Sequence, residues 1–157
     1  MESRQYLQIP GPTNVPERIL RELSRPLINH RGPEFQNLVR ECIEGLKKIF
    51  RTNNDILFFP SSGSGILESA VANLFNPGDT IVTSSIGVFS ERMGNIAESF
   101  GLKTIRIEKE WGEAITYEDV KEILMKDKQK QIKAVCVPHN ETTSGVTDDI
   151  EGISEAI

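Results

Sequence analysis

The stretch "FFPSSGSGILESAVANLF", residues 58–75, leads from an apolar segment through small residues into a helical pattern. Apolar residues between Ile66 and Leu74 recur at helical spacing, and the five residues from Ser61 to Gly65 stand directly before them. The first N–H groups of a helix lack intrahelical acceptors, the helix dipole is positive there, and small residues let a ligand approach closely. The stretch therefore predicts an anion site where a strand meets a helix.

The segments that flank this stretch alternate between strand and helix patterns. Short apolar or alternating runs predict strands at 55–60, 80–85, 103–109 and 132–138. Amphipathic runs predict helices at 17–23, 34–50, 64–75, 89–100, 116–126, where Thr116 is the expected cap, and from 148 onward. Strands separated by helices of this length predict an α/β fold of three αβα layers, with a mostly parallel sheet and helices on both faces.

Two domains follow from this pattern. Five prolines up to Pro33 predict an extended N-terminal arm over residues 1–33, and residues 34–157 carry the α/β pattern. The last helical pattern shows no stop signal and no strand after it. We therefore expect residues 34–157 to be an incomplete domain of a truncated or split polypeptide.

Composition narrows the function classes. The 157 residues are 38% hydrophobic and carry a net charge of −5, which is typical of a globular chain and gives no basic face for a nucleic acid. No apolar run is long enough to span a membrane and no signal peptide is evident, so we expect a cytoplasmic protein. The patterns around Cys42 and Cys136 favour buried reduced thiols, and we expect no metal site.

Three kinds of phosphate site compete for residues 61–65. A Walker A loop needs a lysine after its second glycine, and no lysine lies between Thr52 and Lys103. A dinucleotide fingerprint is weak, because Glu68 occupies the place of its third glycine. A monophosphate held by serine hydroxyls and helix N–H groups contradicts nothing in the sequence. The alternative that these residues only cap a helix after a turn stays open.

Two further loops are expected at the same sheet edge, because ligands of open α/β sheets lie outside the carboxyl ends of the strands. After the second strand, Phe89 could stack on a flat ring or could be a core aromatic. After the fourth strand, Thr142, Thr143 and Ser144 offer hydroxyl groups or form a solvated turn. The residues alone do not decide between these readings.

Taken together, five segments resemble the class V aminotransferases of pyridoxal phosphate, specifically the alanine-, serine- and ureidoglycine-glyoxylate group. They are "IPGPTNVP" at 9–16, "NHRGPEF" at 29–35, "SSGSGILESAVANLFNPGD" at 61–79, "GVFSER" at 87–92 and "HNETTSGV" at 139–146. Their order and spacing span nearly the whole chain. The resemblance implies a partial large domain of the fold-type I pyridoxal-phosphate-dependent transferases.

The resemblance also implies roles for matching residues. Ser62, Gly63 and Ser64 match the turn that holds the cofactor phosphate, Phe89 matches the aromatic that stacks on the pyridine ring, and Thr142 matches the hydroxyl that bonds the phenolic oxygen. The arm segment Pro10, Gly11 and Pro12 resembles the part that lines the substrate entrance near the dimer interface, and His30 and Arg31 lie there too or on the surface.

The chain departs from the family in what it lacks. The Schiff-base lysine and the carboxylate that pairs with the ring nitrogen belong, in the family, to segments after residue 157, so no catalytic residue is assigned here. The resemblance predicts transfer of an amino group from alanine, serine or a similar amino acid to glyoxylate or another 2-oxo acid. It predicts this for a homodimer, or a complex with a C-terminal complementary chain, and an inactive isolated chain. The alternative is a non-catalytic fragment that acts as a binding or assembly module.

Overall fold

Residues 6–157 are described by the computed structural model, and they divide into two units, one up to residue 60 and the other from 61 to 157. Helices α1 (Glu17–Leu23) and α2 (Pro33–Phe50) belong to the first unit, as the sequence predicts. Proline at the first position of α2, Glu34 in its first turn and lysines in its last turn all favour this helix. No residue of either helix is buried, and the apolar side of α2 is only partly covered.

The strand predicted at 55–60 is wrong. These residues form no strand, and Leu57, Phe58 and Phe59 are 88%, 54% and 47% exposed. A strand exists only through hydrogen bonds to a neighbouring strand. The strand pairs in the described part of the chain all lie within residues 80–147 and none includes this segment.

The second unit is built on three parallel strands. They are β1 (Thr80–Ser85), β2 (Lys103–Glu108) and β3 (Ile132–Cys136), in the order β2-β1-β3. Helix α3 (Gly63–Leu74) precedes β1, and helices α4 (Val88–Ser99), α5 (Tyr117–Lys126) and α6 (Ile150–Glu155) connect or follow the strands. The predicted alternation of helices and strands is therefore confirmed from residue 63 onward.

The central strand β1 packs against helices on both of its faces. Ile81 lies in one apolar cluster with Val71 of α3 and Ala97 of α4. Its neighbour Val82 lies in a second cluster with residues of α5 and α6. Successive side chains of a strand point to opposite faces, so this division shows two helical layers around the sheet. The predicted three-layer αβα architecture is confirmed.

Local signals account for two further details. Thr116 caps α5 as predicted, since its hydroxyl accepts from the N–H of Asp119 while the Asp119 carboxylate accepts from the N–H of Thr116. The polar loop expected within 139–146 instead contains two short antiparallel strands, β4 (Asn140–Glu141) and β5 (Val146–Thr147). Gly145 permits the turn between them, with a φ of 75°.

The two cysteines differ from the prediction in one respect. Both are free thiols, and Cys136 is partly buried, which raises the pKa of its thiol. Cys42 is exposed, because it lies on α2, a helix without buried residues. Among residues 6–157, no helix is both long and apolar enough to cross a bilayer.

Candidate functional site

Three segments of the second unit meet near the carboxyl ends of its parallel strands. Strand β1 leads into the start of α4, and β3 leads into the loop that holds β4 and β5. The C-terminal end of α3 leads back to the beginning of β1, so the first residues of α3 lie toward the opposite edge of the sheet, where β1 ends. This edge is where open α/β sheets usually bind ligands.

The start of α3 is open. Ser62 is its N-cap residue, with φ −80° and ψ 169°, and the Ser62 side chain makes no capping hydrogen bond. A Cβ atom added to Gly63 would meet nothing within 4 Å. The first N–H groups of a helix have no intrahelical acceptor. Small side chains, free hydroxyl capacity and open space at a positive helix end fit the binding of a phosphate group.

Arg92 connects the start of α3 with that of α4. Its Nη1 atom donates to the hydroxyl of Ser64 at 2.9 Å, and its guanidinium carbon lies 5.1 Å from the centre of the Phe89 ring. Phe89, in the first turn of α4, is 43% exposed, so it is not the core aromatic of the alternative reading. One cation thus links the predicted phosphate turn with the predicted stacking ring.

Glu141 connects the start of α4 with the loop after β3. Its side chain is fully buried, and its two carboxylate oxygens accept from the N–H of Ser90 at 2.8 Å and from the N–H of Thr143 at 3.0 Å. Burial by itself raises the pKa of this carboxyl, but the hydrogen bonds from Thr143 and Ser90 outweigh burial and hold the pKa below its ordinary value. Glu141 therefore favours the charged form at the N-terminus of α4.

A second buried carboxylate, Asp148, behaves in the opposite way. It is 2% exposed, and burial raises its pKa although the N–H of Ile115 donates to Oδ1 at 2.8 Å. Its Oδ2 atom has no hydrogen-bond partner in the described part of the chain. The two acids of this loop are thus tuned in opposite directions by the number of donors each one meets.

The structure brings most of the predicted binding residues together. Ser62, Gly63 and Ser64 begin α3, Phe89 is tied to Ser64 through Arg92, and Thr142 directly follows Glu141. Thr142 is exposed and belongs to the turn between β4 and β5. The assigned ligand contacts of these residues stay predictions.

The predicted substrate segment belongs to the other unit. Pro10, Gly11 and Pro12 are exposed, and the Gly11–Pro12 peptide bond is cis. His30 and Arg31 are exposed residues of the same unit. Their roles also stay predictions.

Sequence reasoning missed Arg92 and Glu141. Arg92 follows Phe89 by three residues on one helix, and this spacing places the two side chains on one face. It is a signal that could have predicted their contact. Glu141 accepts from a residue 51 positions earlier, and no local pattern in the sequence indicates that pairing.

The chain is similar in sequence to known aminotransferases. The aminotransferase class-V family model matches residues 5–157. Serine–glyoxylate aminotransferase of Methylorubrum extorquens is 40% identical over 155 residues, which cover 98% of this chain and 39% of that protein. A protein named soluble hydrogenase, small subunit, of Synechococcus sp. is 37% identical over 157 residues, which cover 100% of this chain and 41% of that protein.

A solved structure agrees with these matches. Ureidoglycine–glyoxylate aminotransferase of Bacillus subtilis superimposes with a TM-score of 0.84 and is 30% identical, covering 99% of this chain and 41% of that one. The chain therefore spans about two fifths of the length of the relatives it matches.

Proposed function

The chain belongs to the class-V aminotransferase family, with the αβα layers of the fold-type I transferases, and from this premise we propose that it is the N-terminal portion of an aminotransferase. The reaction is transfer of an amino group from an amino acid, such as alanine or serine, to glyoxylate or another 2-oxo acid. The observation that carries the proposal is the open start of α3, to which Phe89 is tied through Arg92. Thr142 adjoins Glu141, whose carboxylate accepts from the N–H of the residue after Phe89.

The cofactor in this proposal is pyridoxal phosphate, which supplies an electron sink for the substrate α-carbon when bound. Ser62, Gly63 and Ser64 hold its phosphate at the positive end of α3. The exposed ring of Phe89 stacks on the pyridine ring, and the Thr142 hydroxyl donates to the phenolic oxygen. The residues of this chain thus bind and orient the cofactor.

In this proposal, the catalytic groups that residues 1–157 lack are supplied by other polypeptide segments. The lysine that bonds the cofactor and the carboxylate for its ring nitrogen belong to a C-terminal segment or complementary chain, so residues 1–157 alone are inactive. Residues 1–33 form the arm, in which Pro10, Gly11 and Pro12 line the substrate entrance near the interface of a homodimer. The cytoplasmic location stays a prediction from the sequence.

Mixing tests the catalytic part of the proposal. The chain, the C-terminal segment of a relative and pyridoxal phosphate together should convert alanine or serine and glyoxylate to the corresponding 2-oxo acid and glycine, and neither piece should do so alone. A stable complex that binds the cofactor yet turns over no amino donor would contradict catalysis. It would favour the non-catalytic binding or assembly module.

Chemical labelling tests whether the chain is competent alone. Borohydride reduction of the chain with pyridoxal phosphate, followed by peptide mapping, should give scattered or no lysine labelling. A single stoichiometric lysine would overturn the expected inactivity of the isolated chain.

A further inference from the structure

The carboxylate of Glu141 sits at a junction that needs a negative charge. Ser90 is the third residue of α4, and its N–H is one of the first N–H groups of that helix, which have no intrahelical acceptor. No residue at the start of α4 supplies a capping side chain to the helix. Glu141 supplies an anion from another part of the unit, and the dipole of α4 favours that charge.

The backbone around Glu141 is shaped to accommodate it. A Cβ atom on Gly87 would lie 2.6 Å from both Cγ and Cδ of Glu141, closer than real side chains approach. Only glycine at position 87 therefore leaves room for this side chain in its present place. A fully buried carboxylate is expensive unless it is hydrogen-bonded, and the N–H groups of Ser90 and Thr143 meet that need.

The two segments that Glu141 joins, the start of α4 and the β4–β5 loop, each contain a residue that we propose to contact the cofactor. Phe89 directly precedes Ser90, and Thr142 lies between Glu141 and Thr143. The N–H of Val88 adds a second link, since it donates to the hydroxyl of Thr143 at 3.3 Å. A shift of the Glu141 carboxylate would therefore move the ring of Phe89 relative to the hydroxyl of Thr142.

We infer that Glu141 is a positioning residue, whose buried carboxylate locks the start of α4 to the β4–β5 loop and so sets the spacing between Phe89 and Thr142. Its importance for the cofactor rests on the proposed function. The residue touches no cofactor atom in this inference and acts through the two backbone segments that it joins.

Glu141→Gln is the test variant, because one carboxylate oxygen becomes an NH₂ group that faces an N–H donor. Glu91→Gln is the matched control: Glu91 is a partly buried carboxylate of the same helical turn that accepts from the hydroxyl of Ser85 at 3.2 Å. The probe is pyridoxamine phosphate, which has no aldehyde to condense with surface lysines. Three quantities are measured on the full 157-residue chain: amide hydrogen exchange, the Kd of the probe, and the circular dichroism of the bound probe at equal saturation.

In Glu141→Gln, exchange at the amides of Ser90 and Thr143 should rise about tenfold or more, since each loses a charged acceptor. The probe's Kd should rise by about tenfold, and its dichroism should change because the ring is held at another angle. Glu91→Gln should match the unmodified chain in all three. Glu141→Asp, which keeps the charge but shortens the reach, should give the same changes and replaces Glu141→Gln if that variant does not fold.

Unchanged exchange at Ser90 and Thr143 would overturn the inference. Faster exchange with unaltered probe affinity and dichroism would overturn it too, because the lock would then not govern the site. If the unmodified chain does not bind pyridoxamine phosphate at all, cofactor binding by this chain is wrong. The exchange data then decide alone whether Glu141 joins the two segments.

Discussion

Helices α3 and α4 begin at the same edge of the sheet, yet the described part of the chain supplies a carboxylate to the N-terminal end of α4 and none to that of α3. Neither helix has a capping side chain of its own. At α4 a fully buried carboxylate from Glu141 accepts from the helix backbone, and Gly87 leaves the space for it. At α3 the space beside Gly63 is open and Ser62 is exposed.

The two helix starts differ in whether the protein itself supplies an anionic acceptor to their first N–H groups. A helix start that is filled by the protein itself cannot accept an external anion, whereas an unfilled one retains both its N–H groups and its positive dipole. The start of α4 is occupied by the carboxylate of Glu141, and the open start of α3 is the one where we propose that a phosphate binds. Four changes would break or sharpen this contrast.

Gly87→Ala should have the largest effect. The added methyl group would lie 2.6 Å from Cγ and Cδ of the fully buried Glu141, so the side chain or the backbone must shift. We expect a loss of about 1–3 kcal/mol in the free energy of unfolding, measured by urea denaturation. The control is Gly63→Ala, where a Cβ meets nothing, and the expected change is within about 0.5 kcal/mol. Equal losses at both glycines would contradict the contrast.

Acid should weaken the filled end selectively. The folded state lowers the pKa of Glu141, so the stability that this carboxylate contributes is complete above its unfolded pKa and is lost as the pH falls through the folded value. The free energy of unfolding, measured at a series of acidic pH values, should therefore depend less on pH in Glu141→Gln.

The pKa of Asp148 is shifted in the opposite direction. Its raised pKa makes folding relatively more favourable as the pH falls, so Asp148→Asn should steepen the acid dependence of the free energy of unfolding. If the pH dependence of unfolding in either variant matched that of the unmodified chain, the pKa shift assigned to that residue would be contradicted.

Arg92→Met should loosen the connection between the two helix starts. The substitution removes the hydrogen bond to Ser64 and the cation over the ring of Phe89, and it keeps an unbranched side chain of similar length. The expected loss is about 1 kcal/mol in the free energy of unfolding, with weaker binding of pyridoxamine phosphate. Arg92→Lys keeps the charge without the planar guanidinium and should lose less. Full retention of stability and binding in Arg92→Met would show that the contact is incidental.

Ser62→Ala should change stability least. Replacement of a serine that caps a helix typically costs about 1 kcal/mol, but Ser62 makes no capping hydrogen bond, so we expect less than about 0.5 kcal/mol. Thr116→Ala, which removes an observed cap, serves as the comparison and should cost about 1 kcal/mol. Calorimetric binding of inorganic phosphate should nevertheless weaken in Ser62→Ala. Unchanged phosphate binding would place the anion elsewhere.

Much of the architecture was predictable because it depends on local patterns. Apolar spacing identified α3, α4 and α5, the alternating segments identified β1, β2 and β3, and Thr116 marked the start of α5. The strand prediction for 55–60 was wrong for a physical reason. An apolar run favours burial, but it does not specify which neighbouring strand would pair with it. The same reason explains why Cys42 is exposed on a helix with a clear apolar face.

The sequence by itself determined the helices, the three parallel strands, the αβα order and the group of small residues at 61–65, because these follow from spacing and backbone preferences along the chain. Only the tertiary structure decided that α4 is filled and α3 is open. That choice depends on a hydrogen bond between Ser90 and Glu141, whose partners are 51 positions apart in sequence and are brought together by the tertiary fold. Long-range pairs of this kind leave no periodic trace in the sequence, so only the tertiary structure shows which helix start is filled by the protein itself.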